Sequence, residues 1–138
     1  MAQSPSFPDL GRHALWLRWL RISLVAGALY DLVFALLMVT APDLPEKLLG
    51  LPQPGEAFYL WLMAVLLTML AGFYLFAAYD PRAYSGNILI AIVGRGAGFL
   101  ALGFAGLRDP ALSGLLPLAL ADLLFAASHA LFWSRVRR

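Results

Sequence analysis

Three ionisable residues, Asp31, Arg95 and Asp122, sit in stretches of the chain that are otherwise fit for lipid. Ionised groups at membrane depth are costly and are found against a partner, a water-filled cavity or a ligand. Taking about 1.5 Å of rise per residue from the inner ends of the apolar runs, Asp31 lies about 13 Å deep, Arg95 about 12 Å and Asp122 about 16 Å. The depths agree within one helical turn, so the Arg95 guanidinium can bridge either carboxylate or both. Two readings stay open: a buried ion-pair cluster that fixes helix register, and a pathway or ligand site. Two aspartates against one arginine leave one negative charge over, which calls for a proton or a bound cation. Tyr30 beside Asp31 and His129 on the Asp122 face are secondary candidates. His129 falls about one turn inside the expected inner boundary and reads as an interfacial polar residue rather than a ligand. With His13 it comes within reach of a bis-His haem. Only one of the pair lies in a span and no haem attachment motif exists, so no cofactor is expected.

The elements that must position these residues follow from composition. Of 138 residues, 62% are hydrophobic and 13% charged, against roughly 25% charged in ordinary soluble domains. That excludes a water-soluble globule and also intrinsic disorder, which needs low hydrophobicity. The absence of cysteine excludes a disulfide scaffold, thiol redox chemistry and thiolate metal sites. The net charge of +2 does not point to nucleic acid, because the basic residues flank apolar runs.

Four runs approach the roughly 20 apolar residues needed to cross a bilayer: about 22–41, 58–79, 87–107 and 111–133. They lack the period-2 alternation of barrel strands. The expected fold is therefore all-α, a single 1–138 domain forming an integral membrane four-helix antiparallel bundle, its spans joined by short turns at residues 80–86 and 108–110. Arg12, Arg18, Arg21, Arg82, Arg135, Arg137 and Arg138 collect on one side, against Lys47 and Arg108 on the other. By the positive-inside rule both termini face the cytoplasm, in what reads as a bacterial inner membrane. Trp16, Trp19 and Trp133 mark that boundary. Residues 11–21 read as a basic tail held by anionic headgroups rather than as a helical extension, and the first span reads as an anchor that stays.

In the outer loop, Asp43 is expected to cap a short interfacial helix at 44–49, with Gly50 at its exit. Gly27 belongs to a stripe with Ser23, Asp31 and Ala35, and Gly94 with Gly98 forms a small-xxx-small pattern for close helix packing. Pro117 is expected to open the fourth helix above Asp122. Leu44 to Leu51 and Leu112 to Leu118 hint at an internal repeat. The Gly94 to Gly98 string lacks the last glycine of a dinucleotide fingerprint and no strand precedes it. There is no HExxH, no nucleophile elbow and no metal-ligand cluster, so the chain reads as non-enzymatic, with no metal.

Tyr30-Asp31, Ala41-Pro42-Asp43 followed by Leu48-Leu49-Gly50, Asp80-Pro81, the basic residue of the third span and Ala121-Asp122-Leu123-Leu124 together resemble small bacterial four-span proteins of the DoxX-like type. The resemblance implies a four-helix bundle and, for some members, partnership with membrane redox systems acting on quinones or sulfur compounds. Three functions follow as expectations. The first is a bundle that binds a small lipophilic molecule, such as a quinone, among surrounding lipids. The second is an accessory or assembly subunit of a larger membrane complex, a redox complex among the candidates, with a homo- or hetero-oligomer as its form, and the third is proton-coupled transport through the surplus carboxylate.

Overall fold

The computed structural model describes residues 7–52 and 55–137, with side chains from residue 11 onward. Among these the secondary structure is helical: α1 (Phe7–Thr40), α2 (Leu44–Leu49), α3 (Ala57–Tyr79), α4 (Ser85–Arg108), a 3-10 turn (Pro110–Leu115) and α5 (Leu116–Val136). Four segments are long and apolar enough to cross a membrane: Gly11–Thr40, Ala57–Tyr79, Ser85–Arg108 and Pro110–Val136.

The distribution of side chains is the reverse of a soluble protein's. Leu29, Leu36, Trp61, Val93, Leu100, Phe104 and Leu124 are all more than half exposed, while alanines dominate the buried positions. In water such an apolar exterior would far exceed the few hundred Å² that soluble monomers expose. In lipid it costs nothing, and association rests on close van der Waals approach, which small residues permit. On α3 the buried residues are Ala64, Ala71, Tyr74, Ala77 and Ala78. Helix α1 packs on α3 and α5, and α4 packs on the same two. Any link between α1 and α4 must therefore cross the interior.

The turns use acidic residues ahead of proline. Asp80 Oδ1 accepts from the backbone N–H groups of Arg82 and Ala83 at 3.0 and 3.1 Å, and Asp109 Oδ1 accepts from Ala111 at 2.9 Å. Both close a tight connection by copying a backbone turn. Arg21, early in α1, donates to the carbonyl of Tyr79 at the end of α3. Arg135 stacks over Trp16.

Several expectations change. Residues 11–21 are not a separate tail: α1 runs unbroken through them, because Leu20 is fully buried and Trp16 and Trp19 pack on Phe132 of α5. At 34 residues α1 is about 51 Å long, well beyond the bilayer's hydrocarbon. Helix α2 has the expected bounds and a left-handed Gly50 (φ 64°) at its exit, but Asp43 does not cap it with its side chain. The carboxylate pairs with Lys47 instead, and that hydrogen bond holds Asp43 below the usual carboxylate range. Pro117 stands in the first turn of α5, where its missing N–H costs nothing, so it starts the helix rather than interrupting a longer one. Arg138 lies outside the described residues, as do positions 53 and 54 of the outer loop.

At the end of the molecule that carries α2, Gly114 of the 3-10 turn lies directly against the backbone carbonyl of Leu49. A methyl group there would overlap backbone that has no freedom to yield. Gly114→Ala is expected to lower the thermal unfolding midpoint in detergent clearly, whereas Gly96→Ala, whose Cβ would meet open space, leaves it unchanged or raises it. Circular dichroism melts of the two variants check this.

Candidate functional site

Arg95 leaves α4 and reaches the opposite helix. Its Nη2 donates to Asp31 Oδ1 at 2.6 Å and to the Gly27 carbonyl at 3.2 Å, and its Nη1 donates to Asp122 Oδ1 on α5 at 2.6 Å. The guanidinium lies 5.4 Å from the ring centre of Tyr74 on α3, and 5.1 Å from those of Tyr30 and Phe125. One planar cation thus touches all four long helices. Lysine cannot substitute for it, because an ammonium has no rigid fork with which to hold two carboxylates on separate nitrogens.

Burial makes the arrangement consequential. The Asp31 side chain is fully buried, and those of Arg95 and Asp122 are 6% and 12% exposed. Removing such charges from water is expensive, and their attraction compensates only with good geometry and satisfied hydrogen bonds. Here the two contacts to carboxylate are short and charge-assisted. The charge count leaves the cluster at −1 when both aspartates are ionised. Among the described residues no group of three His, Cys, Asp or Glu side chains is placed to hold a metal ion.

Two glycines shape the site. Gly98 lies against the Asp122 carboxylate, whose Cγ would be 3.2 Å from an added Cβ. Its role is to admit Asp122 beside α4. Gly27 offers its carbonyl to Arg95, and an added Cβ would stand 3.4 Å from His129 Nε2 and 3.5 Å from the Tyr74 ring. Gly94, by contrast, is exposed and meets nothing within 4 Å. The expected Gly94/Gly98 packing pair therefore acts as one internal residue and one outward-facing residue. Four positions apart on a helix, the two are about 40° apart in angle, enough to divide them at the edge of a contact.

His129 is also corrected. It is not interfacial but completely buried, with Nδ1 3.1 Å from Ser23 Oγ and its ring packed on Tyr74 and Phe125. Tyr74 belongs to the site and was missed by the sequence reading. Its signal was a lone polar group at i+3 from Ala71 and i−3 from Ala77, on the small-residue face of a span notable only for lacking charge. Tyr30 is half-buried, its ring against Phe34 and Phe125.

Among the described residues, four buried polar side-chain atoms make no hydrogen bond: Asp31 Oδ2, Tyr74 OH, Arg95 Nε and His129 Nε2. Such groups are few in native proteins and each points to strain or to a missing partner. An open apolar groove of about 790 Å³ lies between α1 and α3, lined by Leu32, Ala35, Leu36, Ala64, Val65 and Thr68. None of the cluster residues lines it; Ala35 stands about one helical turn beyond Asp31. No family model, curated protein or solved structure matches the chain.

Removing the cation should expose how much depends on it. Arg95→Gln leaves two buried carboxylates without a counter-charge and is expected to cost about 3–5 kcal/mol. Neutralising both partners in the same chain, Asp31→Asn with Asp122→Asn, should recover most of that loss. Denaturant titration of the single and triple variants in mixed micelles measures both values.

Proposed function

We propose that the protein is a multi-pass bundle of the bacterial inner membrane that holds a small lipophilic molecule without transforming it. The polar head sits beside Asp31, Arg95 and Asp122, and the apolar tail lies along α1 and α3. The four long helices run antiparallel in this reading, with both termini cytoplasmic. Its support is the contact of the first half of α1 with the end of α3, Arg21 donating to the Tyr79 carbonyl, and the gathering of Arg21, Arg82, Arg135 and Arg137 toward one end.

The observation that carries the reading is the set of unpartnered buried polar atoms at Asp31, Tyr74, Arg95 and His129, with a separate open apolar groove between α1 and α3 one helical turn beyond Asp31. A cluster serving register alone gains nothing from leaving hydrogen-bonding capacity unused, since each unmade bond costs about 1–3 kcal/mol. A ligand head group supplies the missing partners, and the groove supplies its tail with an apolar wall. A residue such as Val65, which lines the groove and is 57% exposed, separates ligand binding from folding.

A second reading, an accessory subunit docking on a larger membrane complex, draws on the outward Gly94 and Gly96, neither of which has a neighbour within 4 Å. Under it, mild-detergent purification recovers a stoichiometric partner. Under the ligand reading, organic extraction and native mass spectrometry of the purified chain recover about one lipophile per protein, and Val65→Trp, which fills the groove, reduces that occupancy several-fold while leaving the melt intact. A chain that is empty by both measurements overturns the ligand reading.

A further inference from the structure

We propose that the site around the Gly27–Asp31 turn is built to receive a hydroxyl group, so that the ligand head is a neutral alcohol or phenol. This rests on the ligand reading above and specifies its chemistry.

The four unpartnered atoms belong to residues that meet around Gly27 and Asp31. His129 Nε2 and the Tyr74 ring edge both face Gly27, Arg95 bonds the Gly27 carbonyl, and Asp31 follows one turn later. Their hydrogen-bonding roles can be assigned. Ser23 Oγ donates to the Leu20 carbonyl at 2.9 Å, which uses its only hydrogen. It must therefore accept from His129 Nδ1, so a neutral ring presents Nε2 as a bare acceptor. Asp31 Oδ1 receives Arg95 while Oδ2 remains a second free acceptor. Arg95 Nε–H and Tyr74 OH make no hydrogen bond of normal geometry, although the tyrosine lies against the guanidinium, and the hydroxyl can play either part.

This inventory selects among head groups. A quinone, ketone or ester brings acceptors only and leaves both Asp31 Oδ2 and His129 Nε2 unpaired. An anion meets a cluster carrying two carboxylates, with Arg95 Nη1 and Nη2 already engaged. A cation meets the guanidinium itself, which already occupies the faces of Tyr30, Tyr74 and Phe125. A hydroxyl donates one hydrogen to Asp31 Oδ2 or His129 Nε2 and accepts from Tyr74 or from Arg95 Nε. Water offers the same chemistry, and the experiment separates the two sources.

The test uses delipidated full-length protein in phosphatidylcholine nanodiscs and two probes with matched tails, 4-dodecylphenol and its methyl ether. The ether keeps the oxygen acceptor and lacks the O–H. The phenol is expected to bind at least about tenfold more tightly, the factor for one unmade buried hydrogen bond. That preference should narrow in Tyr74→Phe, which keeps the ring, and in His129→Phe. If neither probe binds and nuclear Overhauser contacts show a long-lived water at the Gly27 and His129 protons, the hydroxyl site stands with water as its source and the lipophile reading falls. Equal binding of phenol and ether, unchanged in both variants, overturns the hydroxyl inference and leaves the ligand reading in place. No probe and no water overturns both.

Discussion

The Arg95 guanidinium between Asp31 and Asp122 governs the arrangement of the molecule, because it is the only group among the described residues that bonds across the interior from α4 to α1 while also holding α5. Lipid gives apolar helices little reason to prefer each other over acyl chains. A charged group buried in the same place has a strong preference, since every arrangement that separates it from its partners leaves charge in hydrocarbon. The bundle is therefore specified by a small number of polar contacts, and the leucines and phenylalanines outside it contribute solubility in the bilayer more than selection of one packing.

The small residues make that selection possible. Gly98 lets the Asp122 carboxylate lie flat against α4, and Gly27 exposes a backbone carbonyl to the cation. Alanines at the other interior positions keep the helix axes near enough for a single side chain to span them. Aromatic rings on three sides screen the guanidinium from lipid and add cation–π attraction. Tightness and charge are thus parts of one device.

The helical class and the grouping of Asp31, Arg95 and Asp122 were legible in the sequence, because hydropathy fixes span length and rise per residue converts position into depth. What was not legible depended on where helices stop. The continuation of α1 through residues 11–21 brings Leu20 and part of Trp16 into the packing, and His129 is buried against Ser23, Tyr74 and Phe125; no local signal separates a buried histidine from an interfacial one when the boundary itself is inferred. Tyr74 was obscured by a related effect: in a run of apolar residues a tyrosine reads as bulk, and only its partners reveal the hydroxyl as unusual. Asp43 and Pro117 show the limit of propensity. Each sits where its residue type is favoured, yet Asp43 prefers Lys47 to the backbone, and Pro117 begins α5 because the 3-10 turn uses the residues before it.

The cation of the cluster and one of its acids belong to different halves of the chain, with Asp31 in the first helix made and Arg95 in the third long one. Because Asp31 precedes Arg95 by 64 residues, α1 and α3 are synthesised before the cation that pairs with Asp31 exists. Arrival of α4 supplies it and α5 completes the cluster. A chain interrupted before residue 95 therefore keeps the Asp31 carboxyl group without the cation that satisfies it in the full molecule.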